Sequence, residues 1–148
     1  SLDAYELGLI KVRYLPTENR VLFYTNDGTG AVGRALDGRL PKWWKYGDTT
    51  KGISVGSGEH AVLVEDVASA CAVSRLSGVV GFALLGTNIT TGIKAQLVKY
   101  NKTTLVLDND ASNKAIYLIR KHSQVSHLRL TEKDLKCLTP KQIEDVIY

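Results

Sequence analysis

From Ala61 onward the chain alternates short apolar runs with stretches of helical spacing, and this rhythm limits the fold more than any other feature. Ala61–Val64 is a run of buried-strand type, Val67–Leu76 is Ala-rich with helical spacing, and Val79–Leu85 is a second apolar run. The pattern predicts a helix over about Ile93–Lys99, a strand over Thr104–Leu107, a helix over Ser112–His122 and a strand near Val125–Leu130. Thr139-Pro140-Lys141-Gln142 opens a last helix, in which Thr caps, Pro takes the first helical position and Gln closes a capping box. Strands and helices alternating at this spacing imply right-handed crossovers and a mostly parallel sheet with helices on both faces. The expected architecture of this half is a three-layer α/β sandwich.

The first 58 residues read differently. Two β-prone stretches, Val21–Thr25 and Ala31–Leu36, flank Asn26-Asp27-Gly28-Thr29-Gly30, a turn signal that predicts a hairpin. Gly52–Gly58, with three glycines and two serines, is the best boundary, dividing the chain into a β-rich segment 1–58 and an α/β segment 59–148. The net charge of +4 is modest, but residues 11–52 carry eight basic against four acidic residues. Within them, Pro41-Lys42-Trp43-Trp44-Lys45-Tyr46 alternates cations with rings. Such a surface suits stacking on bases or a ribose. It equally suits a Trp pair anchoring a small sheet among solvated lysines.

Several classes are excluded. The longest nearly apolar stretch, Val79–Leu85, is too short to cross a bilayer, and the first residues lack the basic start and apolar run of a signal peptide. Cys71 and Cys137 make no disulfide framework, so a reducing cytoplasm is expected, and the sequons at Asn88 and Asn101 are read as chance. No methionine is present, so either an initiator was trimmed before Ser1 or this is a piece cut from a longer chain, and the functions missing from it favour the second. No Gly-Lys-Ser/Thr follows the Gly-rich stretch, so no P-loop is encoded, and there is no Gly-x-Ser-x-Gly elbow. His60, His122 and His127 lack zinc-ligand spacing with either cysteine and are read as structural or solvated, and Cys71 as a packed small hydrophobe.

In open parallel sheets, active groups gather at the carboxyl ends of strands. Two apolar runs end in acid: Ala61–Val64 at Glu65-Asp66, and Thr104–Leu107 at Asp108-Asn109-Asp110. Glu65, Asp108 and Asp110 are therefore expected on one rim of the sheet. Three hard oxygen donors suit Mg²⁺, and without a cation at least one of them would be pushed up in pKa by its neighbours. The plainer role for acids at strand ends is helix N-capping, which Asp108 or Asp110 alone would more often serve.

These motifs resemble a Toprim domain, the Mg²⁺-binding module of DnaG-type primases, topoisomerases and some nucleases. Val64-Glu65-Asp66-Val67-Ala68-Ser69-Ala70 is similar to its first motif in bacteriophage form. Leu107-Asp108-Asn109-Asp110-Ala111-Ser112-Asn113-Lys114-Ala115 is similar to its Asp-x-Asp motif, and Lys133-Asp134 to the pair that closes the primase version. Upstream, Arg20-Val-Leu-Phe-Tyr, Gly30-Ala-Val-Gly33-Arg34 and Pro41-Lys42-Trp43 resemble the basic subdomain that precedes Toprim in these primases. The sequence departs from the pattern at Asp66, where Gly is usual, at Ser69, where Asp is expected, and in lacking a Gly behind the Asp-x-Asp.

The resemblance implies a DNA primase catalytic core: a Toprim-type sheet flanked by helices, preceded by a small basic subdomain. It implies Mg²⁺- or Mn²⁺-dependent synthesis of RNA primers on a single-stranded DNA template from ribonucleoside triphosphates. Glu65, Asp108 and Asp110 would be catalytic and metal-binding, while Arg34, Lys42, Lys45, Trp43, Lys114 and Lys133 would face nucleotide or template. A replicative helicase and a zinc-binding element would work with it, in the parent chain or beside it, in the cytoplasm of a bacterial host if phage-encoded. The alternatives are a Toprim-type metal-dependent nuclease and a non-catalytic single-strand-binding module.

Overall fold

The Asn26–Gly30 turn signal becomes a hairpin through one carboxylate. Asp27 Oδ1 accepts from Thr25 Oγ1 (2.9 Å), Thr29 N (3.0 Å) and Thr29 Oγ1 (2.7 Å), and Gly28 supplies the left-handed residue at φ 76°. The Thr29 donors, then Lys51 and Thr25, hold the Asp27 carboxyl well below the usual carboxylate range. The computed structural model describes residues 5–86, 89–108, 117, 125, 127–131 and 134–148. Four strands, β1 (Val12–Leu15), β2 (Arg20–Tyr24), β3 (Gly30–Ala35) and β4 (Trp43–Gly47), form an antiparallel sheet in sequence order.

The second sheet has the order β5-β7-β6-β8-β9. Its strands are β5 (Ile53–Val55), β6 (His60–Val64), β7 (Val79–Ala83), β8 (Lys102–Asp108) and β9 (His127–Thr131). The β6–β7, β6–β8 and β8–β9 pairs are parallel, and β5 joins β7 antiparallel at the edge. Helix α1 (Val67–Val73) connects β6 to β7, α2 (Thr91–Leu97) lies between β7 and β8, and α3 (Pro140–Ile147) closes the chain. The predicted helix over Ser112–His122 falls outside the described residues, apart from Tyr117.

Strand alternation explains why β6 reads as a continuous apolar run. Val62 and Val64 face α1 and α3, while Ala61 and Leu63 face α2, so both sides are buried. Each fully buried Val or Leu contributes about 1.5–3 kcal/mol relative to exposure. Helix α1 lies so close to β7 that a Cβ on Gly81 would meet the Ala70 carbonyl oxygen at 2.2 Å. Ile10 and Val32 join the same core, with Val12 and Phe23 packed against it, and this contact seats the first sheet beside the second.

Two expectations shift. The Gly52–Gly58 break contains β5, anchored where Asn26 donates to Ser54 O (2.8 Å) and accepts from Ser54 N (2.9 Å). The Val67–Leu76 helix stops at Val73, with Ser74 as its C-cap. The last helix begins as its sequence requires: Thr139 Oγ1 accepts from Gln142 N (3.2 Å) and Gln142 Oε1 from Thr139 N (2.9 Å).

His60 is structural. Its Nε2 lies 2.7 Å from Thr104 Oγ1 and its Nδ1 3.3 Å from Tyr148 Oη, at the end of β6 away from the acids. Burial, aided by the charge of Lys102, pushes its pKa down to about 4. Cys71 is buried in α1, as expected of a small hydrophobe. Among the described residues no helix is long and apolar enough to cross a membrane.

Candidate active site

The carboxyl ends of β6, β7, β8 and β9 lie along one edge of the second sheet, as parallel pairing demands. The β6–β7 ladder continues beyond the strands: Leu84 N donates to Val64 O (2.8 Å) and Leu85 N to Glu65 O (3.0 Å). Glu65 is thus fixed through its backbone. Asp66 takes the role the sequence offered to acids at strand ends. With φ −124° and ψ 166° it N-caps α1, its Oδ1 accepting from Ser69 N at 2.8 Å. Such a cap stabilises by about 1 kcal/mol and favours negative charge at the helix start.

Register brings the two acidic strand ends together. Leu63 is level with Leu105, so two residues on Glu65 is level with Leu107, and Asp108 pairs with Thr131 of β9. A cavity of about 30 Å³ opens there, with Glu65, Asp66, Ser69, Thr131 and Asp134 among its lining and Leu107 in its wall. That volume accommodates a water or a single ion. Glu65 belongs to this cavity. Asp108 ends β8 beside it, while the Asp108 side chain and all of Asp110 lie outside the described residues. Among the described residues no three His, Cys, Asp or Glu gather closely enough to hold a metal.

Asp134 is a further residue of this rim, signalled in the sequence only by its place in Lys133-Asp134 after the last strand. Its carboxylate is 3.8 Å from Lys136 Nζ on the surface.

A larger cleft of about 330 Å³ adjoins the rim and spans both sheets. Val32, Trp43 and Lys45 line it from the first sheet, and Glu65, Asp66, Val67, Leu85 and Gly86 from the second. Glu65 and Asp66 therefore border both cavities. The alternation of β4 sorts the Lys-Trp-Trp-Lys segment: Trp43 and Lys45 share the cleft side, and Trp44 points to the other. Arg34 is register partner of Trp43, its guanidinium 5.4 Å from the ring centroid, and Phe23 lies 6.2 Å from the same ring.

Of the expected basic set, Lys45 reaches the cleft, Arg34 stacks on its wall, and Trp43 forms that wall. Lys42 is exposed, precedes β4 and does not line the cleft. Lys114 and Lys133 lie outside the described residues.

Arg20 is a structural residue whose position alone gave no hint of its role. It is 4% exposed and donates to Pro41 O (2.7 Å), Gly33 O (3.2 Å) and Lys42 O (3.4 Å), clamping the segment that leads into β4. Three carbonyls satisfy a charge that burial would otherwise penalise heavily. On the same face Tyr46 donates to Glu18 Oε2 at 2.5 Å, and burial together with that bond pushes the phenol up.

No family model and no curated protein matches the sequence. Solved structures do. A DnaG primase catalytic domain bound to ssDNA superposes with a TM-score of 0.59 at 19% identity, covering 97% of this chain and 56% of that one. The Escherichia coli primase catalytic core gives 0.61 at 19%, covering 98% and 56%. A DNA primase domain from Pseudomonas aeruginosa gives 0.59 at 15%, covering 93% and 52%. The chain spans just over half the length of these structures. At such identities the likeness is one of fold, and the fold of this chain is similar to just over half of the DnaG-type primase catalytic core.

Proposed function

We propose that the chain is the catalytic centre of a DNA primase, with residues 59–148 as a Toprim domain and residues 1–58 as its basic subdomain, making RNA primers on single-stranded DNA. One observation carries this reading: Glu65 borders both the small oxygen-lined cavity and the cleft that holds Trp43 and Lys45. A carboxylate rim joined to a cleft with a ring and a cation is what a phosphorylated nucleotide requires. A similar solved structure, a DnaG primase catalytic domain bound to ssDNA, supports the same template class.

The donor chemistry of the rim fits a hard divalent cation. Among the described residues its lining offers carboxylate and hydroxyl oxygens and no thiol or imidazole, in a volume suited to one ion. Glu65, Asp108 and Asp110 would hold Mg²⁺ or Mn²⁺, with Asp134 as a further ligand directly or through water. A metal held there would supply positive charge beside the triphosphate and would ease deprotonation of the 3′-hydroxyl. The chain's own residues do the positioning. The Leu84 N–H bond to Val64 O and the Asp66 cap fix the backbone on either side of Glu65. Lys45 places a cation where phosphates would approach the rim, and Arg34 and Trp43 offer a charged and a stacking surface leading to it. Lys42, Lys114 and Lys133 are assigned to template or nucleotide on the motif resemblance. A helicase, a zinc-binding element and a bacteriophage setting in a host cytoplasm belong to the same proposal.

The test is primer formation from labelled ribonucleotides on a single-stranded template with Mg²⁺. Primers made by the wild type and not by Glu65→Gln support the proposal. Cleavage of DNA without added nucleotides would favour a nuclease, and salt-sensitive binding indifferent to metal a non-catalytic module.

A further inference from the structure

Strand alternation gives the first sheet a second face. Val32, Trp43 and Lys45 belong to the cleft side, whereas Tyr24, Ala31 and Tyr46 fall on the opposite one, side by side across β2, β3 and β4. Neighbouring strands lie about 4.8 Å apart, so the two tyrosines stand about 10 Å apart at their backbones with the short Ala31 methyl between them. The result is a slot of about 240 Å³, lined by Leu22, Tyr24, Ala31 and Tyr46 and edged by Thr29 and Gly47. Tyr46 is a fixed wall: its Oη donates to Glu18 Oε2, and its ring lies so close to the β3 backbone that a Cβ on Gly33 would meet Tyr46 Cε2 at 2.9 Å.

Two carboxylates stand at the mouth of this slot, where Asp48 N donates to Thr29 O (3.2 Å). Asp27 accepts from Thr29, and Asp48 follows Gly47 directly. Bonds from Thr29, then Lys51, hold Asp27 below the usual carboxylate range, and bonds from Thr50 do the same for Asp48, so both are ionised at neutral pH. Lys51 pairs with Asp27 Oδ2 (3.0 Å). Asp48 receives Thr50 N (2.9 Å) and Thr50 Oγ1 (2.6 Å) on Oδ1, which leaves its Oδ2 for a partner among the described residues. Of the four acids in the basic segment 11–52, three therefore border or brace this one slot. Of the cations on the same face, Arg20 is committed to three carbonyls, and Arg13 belongs to β1, the strand farthest from β4.

We propose that this slot docks an arginine side chain of a partner protein, with the guanidinium between the Tyr24 and Tyr46 rings and the Asp48 carboxylate completing its contacts. A guanidinium is flat and cationic, which suits two phenol faces, and its forked donors suit a carboxylate. Phosphates would meet Asp27 and Asp48 and be repelled, so the preference of this face is opposite to that of the cleft with its Lys45. A free amino acid would bring its own carboxylate to the same acids, which favours an arginine carried in a polypeptide. The docking site is on the far face of the sheet from the acidic rim and does not depend on the chemistry proposed there.

The test is a titration of the chain with a blocked Gly-Arg-Gly peptide, followed through the ring resonances of Tyr24 and Tyr46 by NMR. The controls are the same peptide with citrulline, which keeps the shape and removes the charge, free L-arginine, and a single-stranded oligonucleotide. Saturable shifts of the two rings are expected with the arginine peptide, at an affinity at least about tenfold above the citrulline peptide and also above free arginine. Tyr24→Leu and Asp48→Asn are each expected to weaken arginine-peptide binding by at least about threefold. Asp48→Asn keeps an acceptor for Thr50 and is expected to melt as the wild type does, so it carries the test if Tyr24→Leu does not fold. Equal affinity for the citrulline peptide, or wild-type affinity in Asp48→Asn, overturns the proposal. Free arginine binding as tightly as the peptide overturns the protein partner, and an oligonucleotide that shifts the same two rings overturns the preference for a cation.

Discussion

Asp66 Oδ1 accepts a hydrogen bond from Ser69 N at 2.8 Å, and this contact separates the tasks of two adjacent acids. Asp66 caps α1, and the cap sets the direction in which the chain leaves Glu65. Asp66→Ala is expected to lower stability by about 1 kcal/mol, within a range of about 0.5–2, whereas Asp66→Asn, still a good cap, is expected to stay close to wild type. Glu65→Gln should leave urea unfolding nearly unchanged and remove primer synthesis. Stability and activity measured on the three variants check this division, and a reversed pattern would refute it.

Arg20 makes a different prediction, because its partners are all backbone carbonyls at the entry to β4. Arg20→Met keeps the length and removes the donors, leaving buried acceptors unpaired at a cost of about 1–3 kcal/mol. Denaturant unfolding followed by Trp fluorescence is the measurement. The native-state spectrum is expected to change as well, since Trp43 and Trp44 follow the clamped segment directly.

His60 gives stability a pH dependence of known sign. Its folded pKa is pushed down to about 4 from an ordinary 6.5, so between those values the unfolded chain binds more protons. Its contribution is fully present above about pH 6.5 and is lost as pH falls toward 4. At 7% exposure the effect is on the order of 1–3 kcal/mol over that window. His60→Gln, which can still bond Thr104, is expected to flatten the fall between pH 6.5 and 4. An identical slope in the variant would remove His60 as its source.

Lys45 and Lys42 are expected to differ, although the sequence offered both. Lys45 lines the cleft and Lys42 does not. Lys45→Ala should weaken binding of a ribonucleoside triphosphate in Mg²⁺ by about tenfold, with a smaller change for Lys42→Ala. Binding isotherms with the triphosphate measure it, and equal losses in the two variants would contradict the assignment.

The amount legible in the sequence depended on whether a signal was local. The hairpin turn, the capping box at Thr139 and the apolar run of β6 are local, and each appears where its residues place it. Ile53–Val55 was hidden because a three-residue edge strand between glycines carries no periodicity, and only its pairing with β7 defines it. The choice between Lys42 and Lys45 depends on strand phase, which register with β3 decides and composition does not. Asp134 reaches the rim after β9 has paired with β8, a relation between distant segments. The role of Arg20 was not legible because nothing local in the sequence announces the three carbonyls to which it donates.

The account stands on acids from separate strands holding a divalent cation at the edge of the second sheet. Anomalous scattering from Mn²⁺ in crystals grown with a nucleoside triphosphate locates that ion directly. The expected result is manganese bound by Glu65 and the Asp108–Asp110 turn, with phosphate oxygens completing its shell and Lys45 nearby. Manganese bound elsewhere, or Glu65 turned away from the end of β8 with nucleotide present, would contradict it.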